Sequence, residues 1–536
     1  MFSFINSHRT FCLVATAIFL SLGGNFAFYS KLMEVYPVAL ANIGFLASIA
    51  LFFTLITLFV LNTLAFGKAL RWVLMLVLMS SAFAAHFMDT FGAVIDVDML
   101  NNVLQTNPGE LSDLLTPTLL LRTLLLGVLP CWWIYQKAPA VAMSRASAKE
   151  QVMLGLALLP LLVLCVAPFS AQYASFVREH KSLRYYANPS FYLYSLGRLA
   201  GQQFASNETL AALVSIANDA VLNEPEDSRK ELIVLVVGET ARSDRFSLNG
   251  YSRLTNPELV KESVVSFKQV SSCGTATAVS LPCMFSSLGR DAYAQAKSVS
   301  SENVLDVLAR EGVEVLWRDN NSDSKGVATR LRYENFQIPK NNTVCDVECR
   351  DEGMLVGLEE FIKEKAGKDI LIVLHQMGNH GPAYYKRYPS AFEKFKPACK
   401  TNELSQCSTE EINNAYDNAI LYTDHFLSKV VALLKQFDET HEAAMLYVSD
   451  HGESLGEYGM YLHGSPYAIA PREQTHVPVI AWVGKHFSVS AEQLKRWEKI
   501  SLSHDDLFCS LILSFEVETR LCTEKLAQWS KNPPVQ

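Results

Sequence analysis

The sequence is short of the positive charge that a nucleic-acid binder needs. Its 46 Lys and Arg are outnumbered by 54 Asp and Glu, for a formal net charge of −8. That balance gives no reason to propose a nucleic-acid partner. Internal repeats are missing, which sets aside solenoids and propellers. Low-complexity tracts are missing too. The 11 cysteines contain no tight CxxC…CxxC set, the spacing that would mark a structural zinc cluster. One absence is local: residues 89–116 hold Asp89, Asp96, Asp98, Glu110 and Asp113 but no Lys or Arg.

What the chain has in excess is apolar residues, unevenly spread. Half of its 536 residues are hydrophobic, too many residues in all for one ordinary domain. Five apolar segments fall early, at about 11–29, 43–66, 70–88, 117–136 and 152–172. Most are near the ~20 residues that cross a bilayer core. One such run can be a buried core helix; five in a row, separated by polar loops, predict a membrane domain. Arg9 ahead of the first run suits a signal peptide, but its four companions favour a retained anchor. Basic residues mark alternate loops: Arg9, then Lys68 and Arg71, then Lys137, Arg145 and Lys149. With the 89–116 loop acidic, the N-terminus is expected in the cytoplasm. Everything after the fifth span is then expected outside the inner membrane.

Cysteine placement agrees. Cys12, Cys131 and Cys165 sit in the apolar runs, where cysteine behaves as a small hydrophobe. The other eight fall later, mostly as near neighbours: Cys273/Cys283, Cys345/Cys349, Cys399/Cys407 and Cys509/Cys522. In an oxidising compartment local disulfides are the expectation, with the last pairing left open.

Three parts follow: a transmembrane domain over 1–173, a juxtamembrane connector over 174–230 and a soluble domain over 231–536. In the connector, Arg178, Lys181, Arg184, Tyr185 and Tyr186 precede a stretch of helical spacing over 191–216. It reads equally as an interfacial segment at the outer leaflet or as a linker helix packed on the soluble domain. From 231 onward, strand-like runs recur at 232–237, 313–317, 370–374, 445–448 and 477–482. Helical stretches such as 304–311, 354–365 and 415–437 lie between them. Alternation of this kind predicts an α/β fold with a largely parallel sheet covered by helices on both faces.

The chemistry is organised around MLYVSDHGE, residues 445–453. A buried strand there delivers Asp450 and His451 side by side into a loop, at the strand end where α/β proteins build sites. The run at 232–237 leads likewise into Gly238-Glu239-Thr240. Between them, the small and hydroxyl residues of CGTATAVSLPC (273–283) lead into a helix start, whose free N–H groups suit an anion. A Thr there is a nucleophile if a metal lowers its pKa, or merely a helix cap. His375, His380, His451 and His463 all sit at strand ends or Gly-rich loops.

Taken in order, Gly238-Glu239-Thr240, CGTATAVSLPC, WRDNNSDSKG (317–326), GNHGPAYYKRYP (378–389) and SDHGESLGEYGMYLHG (449–464) closely resemble a known family. It is that of the membrane-bound phosphoethanolamine transferases, which includes lipid A-modifying and mobile colistin-resistance enzymes. The resemblance spans essentially the whole chain. It implies an N-terminal five-helix α transmembrane domain and a C-terminal periplasmic α/β domain of the alkaline phosphatase/sulfatase type.

By matching motif, the resemblance implies zinc held by Glu239, the Thr277 hydroxyl, Asp450 and His451, with Thr277 as nucleophile. His380 and His463 match positions that bind a second zinc or help hold the phosphoryl group. Asn321 and Lys325 match substrate contacts, and Asn101, Asn102, Gln105, Thr106 and Glu110 a loop that shapes the lipid site. A Cys273–Cys283 disulfide would pin the loop that carries Thr277. The implied reaction moves phosphoethanolamine from phosphatidylethanolamine to a lipid A phosphate in two steps through Thr277, which would protect against polymyxins. Other acceptors (Kdo or core sugars), a phosphoglycerol transferase and a hydrolase share the fold. A decayed sensor domain is disfavoured because Glu239, Thr277, Asp450 and His451 are all present. Membrane lipids are the expected partners, and a monomer the expected state.

Overall fold

The computed structural model describes residues 8–106, 108–139, 145–207, 213–223, 229–293 and 301–523. The chain forms two compact units. One takes the residues up to Leu100 together with Leu115–Gly201; the other takes Asn101–Leu114 and the residues from Gln202 onward.

Among the described residues of the first unit, four helices are long and apolar enough to cross a membrane: Leu40–Leu64, Gly67–Phe91, Pro117–Lys137 and Ala148–Glu179. The first expected span is broken, since His8–Gly23 and Phe26–Val35 meet at 57°. Asn25 lies at the break. Its amide donates to the carbonyls of Leu20 and Asn188, each at 2.6 Å, and its Oδ1 accepts from Asn188 N–H at 2.9 Å. The side chain thus takes up backbone groups that a helix end leaves without partners. The start of the connector packs on this unit's own helices: Tyr186 donates to the Gly92 carbonyl at 3.0 Å and Tyr192 bonds Ser80 at 2.7 Å. Its helix, Ser190–Asn207, is shorter than the expected 191–216. Residues 208–212 lie outside the described residues, and Val214 pairs instead with Ser301 in a β-bridge.

The second unit is built on an eight-stranded sheet. Its strands are β1 (Lys230–Gly238), β2 (Val265–Ser271), β3 (Glu314–Asp319), β4 (Arg332–Asn335), β5 (Ile370–His375), β6 (His441–Ser449), β7 (His476–Val483) and β8 (Ser501–Ser503). Their order is β8-β2-β7-β6-β1-β5-β3-β4. The five apolar runs of the sequence are five of these strands; β1 is buried along nearly its whole length, as a central parallel strand must be. One strand departs from the parallel expectation. β7 runs antiparallel to both β2 and β6, because the loop from Asp450 to Thr475 stays at one end of the sheet and needs no crossover.

Four helices matter for the site: α1 (Pro108–Leu114), α2 (Thr277–Met284), α3 (Thr409–Lys435) and α4 (Leu507–Ser514). Ile233, Leu235 and Val237 share a core with Phe508, Leu511 and Ile512 of α4. α3 starts at Thr409 rather than near 415, because Ser408 and Glu411 form a capping box. Four disulfides form, Cys273–Cys283, Cys345–Cys349, Cys399–Cys407 and Cys509–Cys522, while Cys12, Cys131 and Cys165 are free and buried.

Candidate active site

Four adjacent strands, β3, β5, β1 and β6, end at the same edge of the sheet. Beyond those ends lie Asn321, His380, Glu239, and Asp450 with His451. Thr277 joins them from α2, where it is the first helical residue. The cap position is Ala276, and Thr277 itself caps nothing. Its Oγ1 donates instead to the Glu239 carboxylate, 3.2 and 3.1 Å from Oε1 and Oε2, and lies 3.2 Å from His451 Nε2. The hydroxyl therefore sits between a buried carboxylate and an imidazole, at the positive end of a helix dipole.

These groups fit a cation. Ligand atoms of Glu239, Asp450 and His451 all lie within 4.8 Å of one another, and all three residues are buried. His451 Nδ1–H donates to the Gly452 carbonyl at 2.9 Å, so its Nε2 presents a lone pair. That lone pair lies 3.4 Å from both Glu239 Oε1 and Asp450 Oδ2. Asp450 Oδ2 is buried without a hydrogen-bond partner, while its Oδ1 accepts from the Thr240 and His451 amides at 3.2 and 2.7 Å. Three acceptor atoms converging in a buried place repel one another unless a positive charge lies between them. Burial, then the neighbouring Asp450, drives the Glu239 pKa well above the carboxylate range. Burial likewise raises Asp450 and lowers His451 to about 3. The nitrogen-and-oxygen donor set is of the kind zinc accepts.

Asn321 lies beside Glu239. Its amide donates to Glu239 Oε2 at 2.6 Å and to the Gln376 carbonyl at 2.8 Å, so it orients Glu239. His463 packs against His451, their ring centroids 4.5 Å apart, and donates from Nδ1 to Glu453 Oε2 at 2.8 Å. Burial alone would lower its pKa, but Glu453 holds it above the ordinary value. His380 sits 5.6 Å from His463 ring to ring, and its Nε2 is 3.6 Å from Glu110 Oε1. Burial, then His463, keeps the His380 pKa well below normal. Lys325 donates to the carbonyls of Ser322 at 2.7 Å and Gln105 at 3.3 Å. Asn101 and Thr106 lie on the same segment as Gln105 and Glu110, with the Thr106 hydroxyl on the Asn102 carbonyl at 2.9 Å.

Several supporting contacts escape a reading of the sequence, even where the residue itself stands in a motif. His375 pairs through Nδ1 with Asp319 at 2.9 Å, and Trp317 donates to the same carboxylate oxygen. Alternation along β3 alone could have suggested Trp317 and Asp319 as same-face neighbours. Ser280 donates to the Asp450 carbonyl at 2.5 Å. His504 accepts from Cys273 N–H at 3.1 Å and donates to the Ser449 carbonyl at 3.0 Å; nothing in its own stretch signals this. Thr240 takes φ +52°, a costly value for a β-branched residue. Tyr416 of α3 holds that backbone, donating to Thr240 O at 2.6 Å and accepting from Arg242 N–H at 3.0 Å.

Gly378 tests the packing behind Glu239. It has φ +53°, and a Cβ there would lie 2.8 Å from Glu239 O and 3.0 Å from Glu239 N. Gly378→Ala is expected to displace Glu239 and lower metal affinity about tenfold or more, as loss of outer support does. A competition titration against a chelator measures it, with unchanged affinity as the contrary result.

A family model described as sulfatase matches residues 231–513, and one described as phosphoethanolamine transferase EptA/EptB matches 53–204. The chain is 44% identical over 512 residues, 94% of each chain, to the phosphatidylethanolamine transferase Mcr-2 of Escherichia coli. It is 39% identical to the phosphoethanolamine transferase EptA of Escherichia coli K12, covering 95% of this chain and 94% of that one. Among solved structures it resembles the integral membrane lipooligosaccharide phosphoethanolamine transferase A of Neisseria meningitidis, with a TM-score of 0.90, 34% identity and 96% of each chain covered.

Proposed function

The chain belongs to the phosphoethanolamine transferase family, and from that membership we propose that it moves phosphoethanolamine from phosphatidylethanolamine to a lipid A phosphate through a covalent intermediate on Thr277. The observation that carries this reading is the Thr277 hydroxyl, held within 3.2 Å of both the Glu239 carboxylate and His451 Nε2 at the start of α2. A hydroxyl so placed is a nucleophile in search of activation.

Glu239, Asp450, His451 and the Thr277 oxygen would hold one zinc, whose Lewis acidity would lower the pKa of that hydroxyl. Thr277 Oγ1 attacks the phosphorus of the donor as Glu239 accepts its hydrogen bond. The bond from phosphorus to the glycerol oxygen breaks, and diacylglycerol leaves with a proton. A lipid A phosphate oxygen then attacks the same phosphorus, and the Thr277 oxygen departs and recovers its proton. His380 and His463 border the centre and would exchange protons with these oxygens; Glu453 fixes the ring of His463. Asn321 keeps the Glu239 carboxylate turned inward. Lys325 and Glu110 would face the donor headgroup, the ammonium toward its phosphate and the carboxylate toward its amine.

Placement follows the same reading. The membrane domain over 1–173 would sit in the inner membrane, and the catalytic domain from 231 onward in the periplasm. Four local disulfides favour an oxidising compartment. Both lipid substrates would reach the site from the membrane surface. An ethanolamine amine added to a lipid A phosphate offsets its charge and weakens the pull on cationic peptides, so polymyxin protection is the expected phenotype.

Mass spectrometry of lipid A from cells expressing the chain tests the whole reading. A gain of one phosphoethanolamine unit on lipid A is expected. The same gain on core sugars alone, or a phosphoglycerol adduct, would overturn the acceptor or the donor.

A further inference from the structure

The segment 101–114 belongs to the catalytic unit although it is far from it in sequence, and Asp113 alone makes three of its bonds there. Asp113, near the end of α1, is 8% exposed in its side chain. Its Oδ2 accepts from Arg387 Nη2 at 2.8 Å, its Oδ1 from Lys386 Nζ at 2.5 Å, and its carbonyl from Asn402 at 2.8 Å. Arg387 is buried and spends its guanidinium on three elements at once. Besides Asp113, it donates from Nε to the His380 carbonyl at 2.6 Å and from Nη1 to Glu348, in the loop closed by Cys345–Cys349. One side chain therefore ties the segment, the disulfide loop and the backbone of a site histidine together.

Glu110 stands three residues before Asp113 on α1, so the two share a helix face. Pinning Asp113 sets where Glu110 falls, and Glu110 falls 3.6 Å from His380 Nε2. At the segment's other end Lys325 donates to the Gln105 carbonyl at 3.3 Å, a further tie to the site loop.

We propose that Asp113 and Arg387 form a latch, a positioning pair that holds segment 101–114 on the catalytic domain and sets Glu110 beside His380 for the lipid donor. Neither residue touches the reacting atoms; both act through Glu110 and His380. The donor-binding part of the inference rests on the transferase reading above, whereas the latch itself does not. Asp113→Asn removes the charge and keeps the shape. Arg387 then retains Glu348 and the His380 carbonyl, so the variant leaves no unpaired buried cation.

The test uses the full-length, zinc-loaded chain in detergent. Hydrogen exchange within 101–114 is expected to quicken about tenfold or more in Asp113→Asn, the factor for one lost charge-assisted hydrogen bond. Exchange in the rest of the catalytic unit should stay as in the wild type. With phosphatidylethanolamine in mixed micelles, KM should rise about tenfold with kcat within about twofold, the pattern of lost binding rather than lost chemistry. Lys386→Gln, which removes the other partner, should move both readouts the same way and less far, and stands in if Asp113→Asn does not fold. Unchanged exchange in 101–114 would overturn the latch, as would exchange that quickens equally across the whole unit. A fall in kcat at constant KM would overturn its role in donor binding. Should the wild type transfer nothing, the functional reading falls and the exchange result alone decides the latch.

Discussion

Thr277→Ala should abolish phosphoethanolamine transfer, by about a thousandfold or more, the scale on which losing a covalent nucleophile acts. The reason is local. The Thr277 hydroxyl is the group placed between Glu239 and His451. Ala276, not Thr277, occupies the cap position of α2, so the substitution costs the helix no capping bond. Folding and the Glu239–Asp450–His451 cluster should therefore survive, and the loss should appear as chemistry rather than expression. Thr277→Ser, which keeps the oxygen, should recover part of the activity. The measurement is lipid A mass and polymyxin survival in cells, at matched expression. Protection retained by Thr277→Ala would remove Thr277 from the mechanism.

Metal removal should have an effect of similar size. Stripping the purified chain with a chelator should silence transfer, and zinc should restore it. Because a folded-state ligand stabilises by mass action, zinc at a thousandfold above its Kd should add about 4 kcal/mol of stability. That gain would show as a higher Tm in the loaded protein. Asp450→Asn should blunt both effects, since its orphaned Oδ2 faces the His451 lone pair at 3.4 Å. Asn offers an uncharged oxygen there in place of a carboxylate. Full activity in the metal-free chain, or equal Tm with and without zinc, would refute the metal role.

Much of this was legible before any coordinates. β1, β3, β5, β6 and β7 are visible as apolar runs because burial on both faces of a sheet demands near-continuous hydrophobic sequence. Motifs such as SDHGE announce a site because the strand end positions whatever follows it. The disulfides Cys273–Cys283, Cys345–Cys349 and Cys399–Cys407 are likewise local, with sequence separations of 10, 4 and 8.

Other features had no local signature. The broken first span depends on Asn25 meeting Asn188, 163 residues away. The direction of β7 depends on where a long loop chooses to return. Asn321 orients Glu239 across 82 residues, and His504 reaches Cys273 across 231. Asp113 closes on Arg387 across 274. Periodicity and propensity act over a few turns of chain and determine which elements form and which residue types stand at their ends. Partners in a buried polar network are chosen by packing and by the cost of leaving a buried group unpaired, so that choice belonged to the tertiary structure.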